Sequence, residues 1–161
     1  MKEYFTKALI LGQENIGETD RRIFLYTEEL GKVAAKAKGA RKIISKLAGH
    51  LEPATFSDVR LIEKNGLQIA DALSFGKMNK DGTNARFLQF LKEMTFEFQP
   101  DRRLWLIIKK SFIQNKEASA VPYGEILKVM GFDPKFASCQ VCQSRYVKYF
   151  SETEQIFLCK Q

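Results

Sequence analysis

Three cysteines near the end of the sequence have the spacing of metal ligands. Cys139 and Cys142 form a C-x-x-C pair, and sixteen residues separate Cys142 from Cys159. Such a pair, followed after about fifteen to twenty residues by another cysteine, is typical of zinc ribbons, in which thiolates hold the metal in a tetrahedron. An odd number of cysteines also suits a metal site in a reducing compartment better than a framework of disulfide bonds. We therefore predict a Zn²⁺ site with Cys139, Cys142 and Cys159 as three of its four ligands.

The sequence leaves the fourth ligand of this site open. In the zinc-ribbon pattern the ligand would lie at position 162, and the sequence ends at Gln161. Either the sequence ends one residue early, or His50, an acidic side chain, the terminal carboxylate, water or a partner completes the site. The alternative is that no metal binds and these cysteines are free thiols. Because no Glu lies beside them as in a zinc deaminase, a bound Zn²⁺ would have a structural role.

Positive charge is concentrated in one stretch of the chain. The formal net charge is +7 and the pI is near 9.3, a balance that favours polyanionic partners such as nucleic acid or an anionic membrane. Between positions 32 and 46 there is no acidic residue, and the basic residues are Lys32, Lys36, Lys38, Arg41, Lys42 and Lys46. A solvated lysine-rich face is the alternative interpretation.

The spacing within this stretch indicates how it would contact phosphates. Lys32, Lys36 and Lys38 have even spacing, which places them on one face of a strand. The loop that follows offers guanidinium, ammonium, hydroxyl and backbone N–H groups, all of which bind phosphate oxygens. The predicted DNA-binding residues are Lys36, Lys38, Arg41, Lys42, Ser45 and Lys46, with Arg21 as a further phosphate contact.

Residues suited to catalysis are few. His50 is the one histidine, so it is the only imidazole base for a Ser-His-Asp or Cys-His arrangement, and its place in the basic loop favours a phosphate contact or solvation. No Walker, G-x-G-x-x-G or H-E-x-x-H motif is present. Glu14, Glu18 and Asp20 are close enough in sequence to suggest a Mg²⁺ site, although a solvated turn at Gly17 explains them better. We predict no catalytic residues, no nucleotide cofactor and no enzymatic activity.

Short strands dominate the first eighty residues. The segments with strand character are 6–11, 22–27, 32–38, 56–63 and 67–73. Asn65-Gly66 lies between the last two and is the strongest short hairpin signal, because both turn positions need positive φ. The third and fourth segments are joined by a long connection, 39–53, with room for one helical turn near 45–51. Five short strands in this arrangement predict an OB-fold barrel over residues 1–80.

The second half of the chain has a different apolar period. After position 82 the period is about 3.6, and two helical stripes comprise Phe87, Phe90, Leu91, Met94 and Phe98, then Leu104, Ile107, Ile108 and Phe112. A third helix is predicted from Pro122 to a stop at Gly131, and 146–157 alternates like a β-hairpin. The predicted fold class is mixed α and β: the barrel is followed by a small helical domain over 81–161, with a zinc-ribbon-like hairpin at about 137–161.

Several stretches together resemble the RecO family of recombination mediators. They are ALILGQENIGETDRRIFLYTEELGKVAAKAKGARK (8–42), Ser45-Lys46-Leu47 leading to Leu51-Glu52-Pro53, LKVMGFDPKFASCQVC (127–142), and the far side of the hairpin at Phe150-Ser151 and Leu158-Cys159. The sequence departs from the family in a shorter helical region, roughly 83–132, and in the missing fourth cysteine. The resemblance implies binding of single- and double-stranded DNA, annealing of complementary strands, partnership with RecR, contact with single-stranded-DNA-binding protein and help in loading RecA.

The location and the rival functions are also expectations. No apolar run is long enough to span a bilayer, and the apolar run near the N-terminus is only Ala8 to Leu11, so we expect no signal peptide and no membrane partner. We expect a cytoplasmic, nucleoid-associated protein. One rival function is a general single-stranded nucleic-acid-binding OB protein. The other is a non-catalytic protein adaptor that docks a partner on its helical Phe surface.

Overall fold

A computed structural model describes residues 2–78, 83–114 and 121–160 of the chain. Its N-terminal part is a closed barrel with the strand order β1-β2-β3-β5-β4. The strands are β1 (Lys2–Ile16), β2 (Asp20–Thr27), β3 (Gly31–Ala37), β4 (Thr55–Glu63) and β5 (Leu67–Lys77). The β3–β5 pair is parallel and short, and the other pairs are antiparallel. The predicted five-stranded, OB-type fold is confirmed.

The first strand is much longer than the apolar run that predicted it. Its N-terminal half pairs with β4 and its C-terminal half pairs with β2. Each polar end of β1 is therefore held by one neighbouring strand. Side chains alternate across a strand. Ala8 and Ile10 therefore point into the barrel, whereas Leu9 and Leu11 pack in a second core on the outside. Burial on both faces explains why the four residues of this run are all apolar.

The hairpin between β4 and β5 forms at the predicted dipeptide. Asn65 has φ 53° and Gly66 has φ 96°, the left-handed values that this turn requires. The connection from β3 to β4 contains a short 3-10 helix, Ala48–His50, within the segment predicted to form one helical turn.

Three helices pack on the outside of the barrel. They are α1 (Thr83–Met94), α2 (Arg102–Lys109), which continues as a π-helical turn (Lys110–Gln114), and α3 (Tyr123–Val129). Asp101 caps α2 by accepting hydrogen bonds from the N–H groups of Arg103 and Leu104. A two-stranded hairpin follows, with β6 (Tyr149–Ser151) and β7 (Ile156–Leu158). None of the described helices is long and apolar enough to cross a membrane.

The helices and the barrel share one apolar core. Trp105 is fully buried, and its ring centroid lies 6.4 Å from that of Tyr26 on β2 and 6.3 Å from that of Phe56 on β4. The division into domains 1–80 and 81–161 stays a prediction, because its boundary lies in residues 79–82, outside the described part of the chain. Described residues on both sides of that boundary contribute to the core around Trp105, and a further core lies inside the barrel alone.

One residue of the helical stripes lies elsewhere. Phe98 was predicted to continue the first stripe, but α1 ends at Met94 and Phe98 lies beyond it with φ 56° and 61% exposure. Its backbone N–H donates to the Lys32 carbonyl at 3.0 Å, so the segment after α1 runs beside β3. Phe98 is therefore held outside the helix by a hydrogen bond to β3, which is distant in sequence.

Candidate nucleic-acid interface and cysteine cluster

The segment that we call the basic loop, residues 38–46, leaves the barrel at the end of β3. Asp20 fixes this point, because its Oδ1 accepts the Gly39 N–H at 2.8 Å and its Oδ2 accepts Lys36 Nζ at 2.8 Å. The hydrogen bond from Lys36, followed by that from Gly39, lowers the pKa of Asp20 to about 2. The carboxylate is therefore charged at any physiological pH and keeps the loop base in place.

Arg41 ties the basic loop to the turn between β1 and β2. Its backbone N–H donates to the Thr19 carbonyl at 2.9 Å, and its guanidinium donates to the Gly17 carbonyl at 2.7 Å. These bonds use carbonyls rather than carboxylates, so the charge of Arg41 is not neutralised. The side chain is exposed and has further N–H groups available to a ligand.

The predicted DNA-binding residues fall into two groups in the structure. Lys38, Lys42 and Lys46 are exposed and form no ion pair within the described residues. Lys36, by contrast, is paired with Asp20, and the Arg21 guanidinium contacts Glu52 at 3.2 Å and Gln13 at 2.9 Å. Ser45, half-buried, is on the same loop as the unpaired lysines. The unpaired positive charge therefore lies on the basic loop rather than on the face of β3.

Lys32, at the other end of β3, faces the helices. Its Nζ donates to the Lys92 carbonyl at 2.6 Å, and burial lowers its pKa. The even spacing correctly placed Lys32 and Lys36 on one face of β3, whereas Lys38, predicted on the same face, lies just beyond the end of this strand. The helical part covers only the Lys32 end of that face.

Two of the three acidic residues considered for Mg²⁺ are paired with cations of the protein itself. Glu14 pairs with Arg22 at 2.6 Å and Asp20 pairs with Lys36. His50, the one histidine, is half-buried against β5, where its Nδ1 accepts the Ser74 N–H at 3.1 Å. Neither His50 nor any of these carboxylates is part of a metal-binding group among the described residues.

The three predicted metal ligands come together in the structure. The Sγ atoms of Cys139, Cys142 and Cys159 all lie within 4.8 Å of one another, and those of Cys142 and Cys159 are 3.4 Å apart. A tight turn forms the C-x-x-C segment, in which the Gln143 N–H donates to the Cys139 carbonyl at 2.9 Å. Tetrahedral thiolates about 2.3 Å from Zn²⁺ would be about 3.8 Å apart, so the cluster has the size of such a site.

Hydrogen bonds prepare one thiol of the cluster for metal binding. The backbone N–H of Cys142, followed by those of Cys159 and Val141, lowers the pKa of Cys139 to about 6. Hydrogen bonding to the thiols of Cys142 and Cys139 raises the pKa of Cys159 to about 11. Cys139 is therefore a thiolate near neutral pH, which is the form that binds metals. The donor set can hold a metal ion, and no fourth ligand is found among the described residues.

An open depression of about 510 Å³ lies elsewhere on the barrel. Its lining includes Phe5, Lys7, Asp58 and Leu73, and charges of both signs surround it. None of the predicted site residues lines it, and its mixed charge does not suit a polyanion.

The N-terminal barrel matches a known family. The family model described as "Recombination protein O N terminal" matches residues 1–76, which is nearly the whole barrel. Proteins named "DNA repair protein RecO" from Thermoanaerobacter sp. (strain X514), Myxococcus xanthus (strain DK1622) and Clostridium novyi (strain NT) are 26%, 30% and 31% identical over 92%, 88% and 89% of this chain. Over most of its length, this chain is similar to RecO proteins. It spans 66%, 64% and 62% of the length of these three RecO relatives.

Two isoleucines of the basic loop were missed by the analysis of the sequence. Ile43 and Ile44 are among the most exposed large apolar residues of the described chain. The signal was present in the sequence as two adjacent β-branched residues inside an otherwise polar, basic loop. The stretches that resemble RecO lie on either side of these two residues and do not include them.

Proposed function

We propose that this chain is a DNA-binding protein of recombinational repair that holds DNA phosphates on the basic loop. The observation that carries the proposal is the set of unpaired cations on this loop, at Lys38, Arg41, Lys42 and Lys46. The loop belongs to a barrel that matches a RecO N-terminal family model, and the relatives are named DNA repair proteins. Lys36, Arg21 and Ser45 are proposed as secondary contacts.

The proposed mechanism needs no covalent chemistry. Each cation that contacts a phosphate releases a condensed counterion, which favours binding and makes it dependent on salt. Two strands held on such a surface repel each other less, and complementary strands would then anneal without nucleotide hydrolysis. Assistance to RecA loading with RecR, and contact with single-stranded-DNA-binding protein, are part of the same proposal and rest on the similarity to RecO proteins.

Removal of three loop charges tests the DNA site. We expect Arg41→Ala/Lys42→Ala/Lys46→Ala to weaken DNA binding on any sequence, on the order of 10²-fold at 0.1 M salt. Because each phosphate contact contributes roughly 0.9 to the slope of log affinity against log salt on duplex and about 0.7 on single strands, the slope should become shallower by about 2 to 3. Fluorescence anisotropy over a salt series measures both quantities.

A matched variant distinguishes the effect of the loop positions from the effect of the lower net charge. Lys128→Ala/Lys135→Ala/Arg145→Ala removes the same charge from three exposed positions of the helical and hairpin regions. This control should bind with nearly the wild-type slope. If the loop variant keeps the wild-type affinity and slope, or if the control loses as much, the basic loop is not the DNA site and the adaptor function becomes the better proposal.

We also propose that the cysteine cluster binds a structural Zn²⁺. The full chain should bind about one metal per molecule, and Co²⁺ in its place should give thiolate-to-metal absorption bands. Cys139→Ser should lower the metal affinity at least tenfold and remove the bands, since it deletes the ligand with the lowered pKa. Ser138→Ala, one residue away and exposed, should leave both unchanged. A metal-free wild-type protein after refolding with excess Zn²⁺ would refute this site.

A further inference from the structure

Two isoleucines of the basic loop, Ile43 and Ile44, lie outside the apolar cores of the described residues. Ile43 is 105% exposed and Ile44 is 88% exposed, and neither belongs to or packs against the apolar cores of the described residues. Isoleucine is among the residue types most often fully buried. Two neighbouring isoleucines that are almost fully accessible therefore point to a function other than packing within the chain.

The backbone around these residues presents them outward. The Ser45 N–H donates to the Lys42 carbonyl at 2.9 Å, which makes 42–45 a β-turn with Ile43 and Ile44 at its two central positions. Glycine, proline, asparagine and aspartate are the residues that stabilise such positions. The turn itself therefore gives no reason for two β-branched apolar residues.

The loop is anchored on both sides of the turn. Ala40 is buried in the barrel core at 1% exposure, and Leu47 packs against the same core. The Lys42 N–H donates to the Gly39 carbonyl at 3.0 Å, so a second turn precedes the first. With both ends fixed, the chain between them cannot fold its isoleucines back onto the barrel without breaking these contacts.

Cations surround this apolar tip. Arg41 and Lys42 precede it and Lys46 follows it, and none of them forms an ion pair within the described residues. A ligand that matches this pattern has anionic groups around an apolar interior. Nucleic acid has this structure, because its phosphates flank stacked bases, and apolar side chains of other DNA-binding proteins insert between base steps.

We propose that Ile43 and Ile44 form an apolar wedge that inserts between neighbouring bases of DNA while the flanking cations hold the phosphates. The inference deepens the proposed function and rests on it. Insertion requires that two bases part, which is easiest where they are unpaired or mismatched. The wedge therefore gives the protein a preference for single strands and for interrupted duplexes over a perfect duplex, and it keeps bases accessible to an incoming strand.

The test uses DNA that carries 2-aminopurine, a base analogue whose fluorescence rises when it is unstacked. The full chain should raise this fluorescence, and Ile43→Ser/Ile44→Ser should abolish the rise and weaken single-strand binding about tenfold. The salt slope should stay at the wild-type value, because the variant keeps every cation. Ile43→Leu/Ile44→Leu should retain the rise. Phe136→Ser, a change at another exposed apolar residue, should behave as the wild type.

The outcomes separate this inference from the proposed function. If the wild type binds DNA with a steep salt slope and the serine variant gives the same 2-aminopurine response, the wedge is wrong and the phosphate site stands. If the wild type does not bind DNA, the proposed function fails. An anionic membrane has the same pattern of charge over an apolar interior. Binding to phosphatidylserine/phosphatidylcholine vesicles that depends on the isoleucines, with DNA binding independent of them, would overturn the wedge in favour of a membrane contact.

Discussion

Replacement of Gly31 by alanine is expected to destabilise the protein by about 3 to 5 kcal/mol. Gly31 begins β3 with φ +69°, a conformation that costs an ordinary L-residue about 1 to 2 kcal/mol. An added Cβ would also overlap the Gln99 carbonyl oxygen and would lie 2.8 Å from the Pro100 nitrogen. Both are backbone atoms, so the segment between α1 and α2 would have to move away from the barrel. Urea denaturation followed by circular dichroism measures the loss.

Gly17 provides the matched control for this prediction. It has φ +58°, close to that of Gly31, but nothing lies within 4 Å of its added Cβ. Gly17→Ala should therefore cost only the conformational part, about 1 to 2 kcal/mol. The difference between the two losses of stability measures how much the close approach of the 99–100 backbone to Gly31 contributes. Equal losses would show that the approach contributes nothing to stability.

The strands could be predicted because their signals are local. Asn65-Gly66 fixes its hairpin by the φ values it permits, and β-branched and aromatic runs mark β2 and β4. The length of β1 could not be predicted, since its polar ends become a strand only through pairing with two neighbours. The same limit applies to Gly31: its turn is readable in the sequence, whereas its contact with Gln99 depends on how the helices pack.

The candidate sites show a similar division. The spacing of the cysteines correctly predicted that their sulfurs meet, because a C-x-x-C turn and a short hairpin determine that geometry locally. The pairing of Arg21 with Glu52 depends on where the long connection returns to the barrel, which no local pattern reveals. The exposure of Ile43 and Ile44 likewise follows from anchors at Ala40 and Leu47 that only the folded chain shows.

Trp105 is the second residue for which a large effect is expected. The helical period predicted that Leu104, Ile107 and Ile108 lie on one apolar stripe, and this stripe did not include Trp105. In the structure Trp105 is fully buried against Tyr26 and Phe56, because it lies on the same buried face of α2 as Leu104 and Ile108. Trp105→Ala should destabilise the protein by about 3 to 5 kcal/mol through lost contacts and the cavity that remains.

Trp105→Phe is the matched control, and it also tests the shared core. The indole Nε1 has no hydrogen-bond partner among the described residues, so phenylalanine removes a buried N–H that is unsatisfied there while keeping a ring in the core. We expect a cost below about 2 kcal/mol. Because the ring joins the barrel to the helices, Trp105→Ala should lower the stability of both in one transition, measured by far-ultraviolet circular dichroism and by hydrogen exchange of β2 and α1. A variant whose barrel amides keep their wild-type protection would instead establish that residues 1–80 fold independently of the helical region.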